Sequence, residues 1–150
     1  MTQIANDQQL RDALNALTPE QQRIMGARFA GDVMHLCLDD RVRRAGQLAL
    51  SPDLADTERD DALKAAKSYA VKTYTDCGKD TDWLKQADHF VAAAVAAALT
   101  PPDQLPPKTN PAWKAAVQAR MAKNCELMEK EEGEEATESD RQYRIASQYL

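Results

Sequence analysis

Glycine is scarce in this chain, with 5 residues among 150. Sheet proteins use glycine in their turns and show alternating polar and apolar residues along their strands. No alternation of useful length occurs here, and apolar residues instead recur at spacings of three and four almost throughout. The sequence therefore predicts an all-α fold with no sheet, as a single-domain bundle of six or seven helices.

Cysteine is also rare. Cys37, Cys77 and Cys125 are odd in number and widely spaced, and they form no Cys-x-x-Cys pair. A secreted disulfide framework is therefore not indicated, and we interpret the three residues as small core side chains. Residues 1–9 lack the basic end and apolar run of a signal peptide. Together these features predict a protein of the reducing cytoplasm.

A surplus of positive charge is absent. The net charge is −5, and all of the excess lies in residues 126–150, which contain 8 acidic and 3 basic side chains. Residues 1–125 contain 16 of each sign. Such a chain offers no surface that neutralises phosphates, so we do not expect it to bind nucleic acid.

Long hydrophobic runs are missing as well. Phe90 to Leu99 is an apolar run of ten residues, six of them alanine, and prolines follow at 101 and 102. Spanning a membrane takes about 20 apolar residues, so we do not expect a membrane partner. A helix that is apolar on all sides is usually surrounded by protein. We expect this run to be the central helix of the bundle, with burial in an oligomer contact as the alternative.

Start and stop signals divide the chain into helices. Thr18-Pro19-Glu20-Gln21 combines a capping box with proline at the first helical position, and the helix that follows is predicted to reach about Leu38. Gly26 and Gly31 would each cost it about 1 kcal/mol relative to alanine. These glycines therefore predict the close approach of a neighbouring helix or a bend. Further helices are predicted over about 7–17, 40–50 and 57–77. A fifth is predicted to run to Leu99 with Thr81 or Asp82 as its cap, and a sixth over about 110–128 with Asn110 as cap and Pro111 at the first helical position.

The predicted organisation is a helical bundle over 1–128, an acidic flexible loop over 129–140, and a short helix over 141–150 that docks on the bundle. The loop has little to bury, and residues 100–109, with four prolines, predict an extended connector. Ser139 or Asp140 is the expected cap of the last helix. The sixth helix is expected to bury a stripe formed by Trp113, Val117, Met121, Cys125 and Met128. The last helix is expected to bury Tyr143, Ala146 and Tyr149.

The sequence contains few groups of residues that could carry out catalysis or bind a metal ion. The chain contains no Gly-x-Gly-x-x-Gly, no Walker loop and no Gly-x-Ser-x-Gly, and it has two histidines. Helix bundles that hold two metal ions use Glu-x-x-His, whereas this chain has aspartate three residues before His35 and an amide three residues before His89. We therefore predict a non-enzymatic protein without catalytic, cofactor-binding or metal-ligating residues.

Binding to another protein is the preferred functional hypothesis. The candidate contacts are the acidic segment 129–140 and a charged cluster whose members can also pair with one another on a helix surface. That cluster consists of Asp39, Asp40, Arg41, Arg43 and Arg44.

The alternative is a helical bundle that binds a small ligand or a metal ion, with or without enzymatic activity. Its site would require five side chains to converge: Asp32, His35, Cys37, Asp88 and His89. A third option is an accessory protein that acts as a homo-oligomer.

Five segments share an alanine-rich pattern: ARFAGDVMHLCLDDRVRRAGQLAL, ALKAAKSYAVKTY, ADHFVAAAVAAAL, NPAWKAAVQARMA and ESDRQYRIASQYL. Over residues 24–150 this order resembles the alanine-rich, all-helical immunity proteins of bacterial toxin systems, which have a similar Asp-Arg-x-Arg-x-Ala junction. The proline connector and the acidic loop depart from that pattern. The resemblance implies an immunity or adaptor protein that binds and neutralises a toxin without catalysis.

Overall fold

The computed structural model describes residues 3–74, 82–130 and 137–150. Every element in these ranges is helical, as the spacing of apolar residues predicts. Within these ranges the chain forms seven α-helices and no strand, which confirms the all-α bundle. None of the described helices combines the length and the apolar character needed to cross a membrane. The helices are α1 (Asp7–Asn15), α2 (Pro19–Gly31), α3 (Asp40–Ala49), α4 (Asp56–Tyr74), α5 (Trp83–Leu99), α6 (Pro111–Lys130) and α7 (Glu138–Tyr149).

The alanine run forms the centre of the bundle, as predicted. Helix α5 packs most extensively against α6 and α4, and it also contacts α2 and α3. Its N-cap is Asp82, whose side chain accepts a hydrogen bond from the Lys85 backbone N–H. Because alanine has a short side chain, neighbouring helices can approach α5 from several directions at once. Its buried residues are Ala87, Asp88, His89, Val91, Ala92, Ala94, Val95, Ala97, Ala98 and Leu99.

Helix α2 begins as expected and ends earlier than expected. Both hydrogen bonds of the capping box between Thr18 and Gln21 are present. The predicted continuation to Leu38 is wrong, because α2 ends at Gly31 and a short 3₁₀ turn follows over Met34–Leu36. The buried Asp88 carboxylate accepts a hydrogen bond from the Leu38 backbone N–H at 2.7 Å, which fixes the change of direction before α3.

The two glycines of α2 have different explanations. A Cβ at Gly26 would lie 2.9 Å from the Ala98 Cβ and 3.3 Å from the Ala115 Cβ, so α5 and α6 approach closely here, as predicted. A Cβ at Gly31 would meet nothing within 4 Å. Close approach therefore explains Gly26, whereas Gly31 lies where the helix ends.

Helix α6 buries a different face from the one predicted. Val117, Met121 and Met128 are exposed by 36%, 42% and 55%, so the expected core stripe is wrong at these positions. Trp113 is half-buried and Cys125 is buried. The buried face instead carries small residues, because α5 presents alanines and the two helices pack closely along their length. That face contains Ala112, Ala115, Ala116, Ala119 and Ala122.

Helix α7 begins at Glu138, because the N-cap is Thr137 rather than Ser139 or Asp140. Asp140 is the third helical residue and completes a capping box with Thr137. The helix packs against α2 and α6, with Ala146 buried and Tyr143 and Tyr149 partly buried. Of the expected acidic loop, residues 131–136 lie outside the described residues, while residues 129 and 130 belong to α6.

The remaining predicted boundaries differ by small amounts. Helix α1 ends at Asn15 rather than Leu17, and α4 is described as far as Tyr74. Cys77 and the expected stop at Gly78 lie outside the described residues. The proline connector contains a 3₁₀ turn over Pro102–Gln104, so it is not extended throughout.

Candidate functional site

A groove of about 550 Å³ lies between α4, α5, α6 and the connector over residues 100–109. We call it the His89 groove. Its described lining comes from α4 (Leu63, Lys67, Ala70, Val71 and Tyr74), α5 (His89, Ala93, Ala96 and Ala97), the connector (Thr100, Gln104, Leu105 and Pro106) and α6 (Lys114 and Gln118). Its volume falls in the range of about 300–1,000 Å³ that is typical of small-molecule sites.

The floor of the His89 groove is apolar because α5 contributes only small side chains to it. Ala93, Ala96 and Ala97 occupy successive turns of α5, and their methyl groups leave open space where larger residues would fill it. Leu105 and Pro106 border this floor from the connector. The alanine run therefore has two consequences: it permits close helix packing on one side and leaves a groove on another.

The charged residues that line the His89 groove are Lys67 on α4 and Lys114 on α6, and none of its described lining residues is acidic. Lysine can lay its aliphatic stem along apolar surface while its ammonium group stays in water. The groove therefore combines an apolar floor with a positively charged rim, although the protein as a whole carries a net charge of −5.

His89 is buried at the side of the groove. Its Nδ1 lies 2.9 Å from the Thr73 Oγ1, and its ring packs against Tyr74 and Phe90 with centroid distances of 5.8 and 5.1 Å. Burial lowers the pKa of His89, so the neutral ring predominates at neutral pH. The Thr73 hydroxyl also lies 2.8 Å from the Tyr69 carbonyl oxygen, which places it within the α4 backbone network.

The two histidines engage different partners. The His35 Nε2 lies 2.7 Å from the Glu126 Oε2, whereas His89 pairs with Thr73. Of the residues in the alternative hypothesis, His89 is the one that lines the groove. Among the described residues, no group of three or more His, Cys, Asp or Glu side chains is placed to hold a metal ion.

The other residues of the alternative hypothesis also have local partners. Asp88 accepts hydrogen bonds from the Leu38 N–H and, at 2.5 Å, from the Tyr69 hydroxyl. The Cys37 thiol donates to the Asp39 carbonyl oxygen at 3.3 Å. Burial raises the pKa of Cys37, which disfavours the nucleophilic thiolate. Cys37 and Cys125 are both buried, which agrees with their interpretation as core residues.

Two buried glutamates carry interactions that the sequence did not reveal. Burial alone would raise the pKa of Glu126, but hydrogen bonds from Lys123, at 2.6 Å, and His35 outweigh it and lower this pKa. Burial and the neighbouring Asp32 carboxyl together raise the pKa of Glu138 to about 8, against the opposing charge of Arg141. The Asp32 carboxyl at the end of α2 thus lies near Glu138 at the start of α7.

The charged cluster over residues 39–44 contains one ion pair and the cap of α3. Asp39 caps α3 by accepting hydrogen bonds from the backbone N–H groups of Arg41 and Val42. The Arg41 Nε lies 3.6 Å from the Asp39 carboxylate, and Arg43 donates to the Cys37 carbonyl oxygen. Asp40 is the exposed first residue of α3.

Arg41 and Arg44 also line a smaller groove of about 280 Å³ between α3 and α4, together with Glu58 and Asp61. This lining balances its two positive charges with two negative ones. The predicted cluster therefore has a structural role in starting α3, and its charge does not select one sign of ligand.

An exposed apolar stripe lies beside the His89 groove on α6. We call Val117, Met121 and Met128 the α6 outer face. Lys114 and Gln118, which line the groove, lie within one helical turn of Val117 and Met121. The stripe extends over about 16 Å of helix axis. The sequence analysis missed this surface because it assigned the same residues to the core.

Comparison of the chain with protein-family models, curated protein sequences and solved structures finds no match. The resemblance to immunity proteins therefore stays a prediction.

Proposed function

We propose that this protein is a non-enzymatic binding protein and that a partner protein docks on the α6 outer face. The observation that carries the proposal is the exposure of Val117, Met121 and Met128 on a helix whose opposite face is buried alanine. Helix α6 thus carries three exposed apolar side chains outside its buried alanine face, with the exposed Asn124 between Met121 and Met128. Apolar stripes that the fold leaves exposed are typical of interaction surfaces.

The chemistry of the α6 outer face suits a helical or otherwise apolar partner surface. Methionine side chains are flexible and polarisable, so they adapt to the shape of what they contact. Lys114 beside the stripe adds positive charge at its edge, where complementary charge speeds encounter more than it adds affinity. Toxin neutralisation is the form of this function that the resemblance to immunity proteins suggests.

Partner capture with matched variants tests this proposal. The Met121→Glu, Met128→Glu double variant places two charges on the outer face, whereas Leu38→Glu, Leu84→Glu places two charges at exposed apolar residues elsewhere. We expect a specific partner to bind the wild type and the second variant, and to bind the first about tenfold or more weakly. A partner that binds both variants alike contradicts docking at α6.

Self-association through the same face is the competing explanation. Light scattering after size exclusion distinguishes the two explanations. If a second copy of the chain occupies this face, the wild type is a dimer and the Met121→Glu, Met128→Glu variant is a monomer. A monomeric wild type that still captures a partner supports the proposal.

A further inference from the structure

The His89 groove has features that partner docking on the α6 outer face does not use. We propose that it binds an amphipathic carboxylate, an aliphatic acid whose chain lies on the alanine floor and whose carboxylate lies at the rim formed by Lys67 and Lys114. This is a small-ligand site that adjoins the proposed protein interface and shares Lys114 with it.

The floor accounts for the aliphatic part of the ligand. Ala93, Ala96 and Ala97 offer methyl groups and no hydrogen-bonding side chains, so a hydrocarbon chain is the chemistry that they match. The Thr100 hydroxyl at the end of this floor donates to the Ala96 carbonyl oxygen at 2.8 Å, and is therefore engaged within the protein. Transfer of each methylene group from water to such a surface is favourable.

The rim accounts for the charge of the ligand. Lys67 and Lys114 come from two different helices, α4 and α6, that line the same groove, and the lining contains no described acidic residue that would neutralise them. A cationic amphiphile would meet two like charges, whereas a carboxylate meets two opposite charges. Gln104 and Gln118 add amide groups that can donate hydrogen bonds to carboxylate oxygens.

The boundaries of the groove favour a small molecule over a peptide. Leu105 and Pro106 of the connector border it on one side, and α4 and α6 contribute its walls. The volume of this open groove, about 550 Å³, matches one small ligand. A peptide would instead extend along a helix surface, as on the α6 outer face.

Decanoate is a suitable probe, used below the concentration at which it forms micelles. We expect isothermal titration calorimetry to show one site per chain, and affinity to fall as octanoate and hexanoate replace decanoate. A fully buried methylene is worth about 0.8 kcal/mol, which corresponds to about a fourfold change in affinity. Because the groove is open on one side, we expect a change of about twofold to fourfold per methylene. Decyltrimethylammonium is expected not to bind there.

Alanine-methyl NMR locates the site, because the floor consists of alanine. Decanoate is expected to shift the methyl signals of Ala70, Ala93, Ala96 and Ala97. Shifts confined to alanines outside the groove would overturn the proposal, as would equal binding of decanoate and decyltrimethylammonium. An absence of any decanoate binding would do the same.

Matched variants distinguish the effect of the two rim lysines from the effect of removing positive charge elsewhere on the protein. Lys67→Met, Lys114→Met removes the two rim charges and keeps most of the stems, and we expect it to weaken decanoate binding about threefold to tenfold. The control, Lys64→Met, Lys85→Met, makes the same charge change at lysines that do not line the groove and is expected to bind like the wild type. Equal affinity of the two variants would refute the assigned rim.

A second variant tests the floor of the groove by filling it. Ala93→Leu occupies the floor from a half-buried position and is expected to reduce decanoate affinity about tenfold or more. Met128→Glu on the α6 outer face is expected to leave decanoate binding unchanged. The carboxylate site can therefore fail while the protein interface stands, and the interface can fail while the carboxylate site stands.

Discussion

Substitution of Gly26 by alanine tests the close contact of α2 with α5 and α6. The added Cβ would lie 2.9 Å from the Ala98 Cβ, and 3.3 Å from both the Ala112 Cα and the Ala115 Cβ. None of these three atoms belongs to a flexible side chain that can rotate away. Either the α2 backbone moves away from α5 and α6, or all three contacts stay compressed.

Two opposing effects decide the magnitude. Alanine in place of glycine in a helix interior gains about 1 kcal/mol. Overpacking a core costs about 1–3 kcal/mol, and three rigid neighbours place this site near the upper end. We therefore expect Gly26→Ala to lower the free energy of unfolding by about 2 kcal/mol, which corresponds to a fall in Tm of about 4–8 °C for a chain of this size.

Urea denaturation, with the m-value checked for constancy, measures this effect, and two other glycines provide controls. Gly31→Ala is expected to be neutral or stabilising by up to about 1 kcal/mol, because its Cβ would meet nothing within 4 Å. At Gly46 the nearest atom is the Met34 Cε at 2.7 Å, the flexible end of a side chain, so a change within about 1 kcal/mol is expected. If Gly26→Ala proves as stable as Gly31→Ala, the inferred close packing of α2 on α5 and α6 is refuted.

Three further substitutions address buried polar groups. The folded state holds a proton on Glu138 up to a pKa of about 8, whereas the unfolded state releases it near 4.5. Stability should therefore fall as pH rises between these values, by at most about 1.4 kcal/mol per pH unit, and Glu138→Gln should flatten this slope in denaturation measured from pH 5 to 8.5. Arg120→Met removes two hydrogen bonds to Asp7 and one to Gln142. Urea denaturation should therefore show a free energy of unfolding lower by about 2–3 kcal/mol. An unchanged urea midpoint would exclude a role of Arg120 in anchoring these residues. Glu126→Ala removes the acceptor of a buried ion pair and should cost about 3 kcal/mol by the same assay, more than His35→Ala, whose side chain is half exposed.

Local signals located most helix boundaries. The capping box at Thr18, the Asp82 cap of α5 and the Asn110-Pro111 start of α6 all depend on residues within one helical turn, so they can be recognised from sequence. The change of direction between α2 and α3 could not be recognised in this way. The Leu38 N–H at this point donates to Asp88, which lies 50 positions further along the chain.

The candidate binding surfaces could not be recognised from the sequence for a related reason. Lys67 and Lys114 lie far apart in the chain, and only the packing of α4 and α6 around α5 places them on one groove. His89 was noted as a candidate, but its expected companion His35 pairs with Glu126 instead. The spacing of charged residues along a sequence does not reveal which helices become neighbours.

The sequence by itself determined the helices of this protein, because spacing of apolar residues and capping are local properties. Helix α6 shows what only the tertiary structure decided, since it carries an alanine stripe and a Val–Met stripe and either could face the core. Valine and methionine each offer more area to bury, but alanines meeting the alanines of α5 let two backbones pack closely over many turns. The summed contacts of that approach favour the alanine face inside, and this choice leaves Val117, Met121 and Met128 exposed.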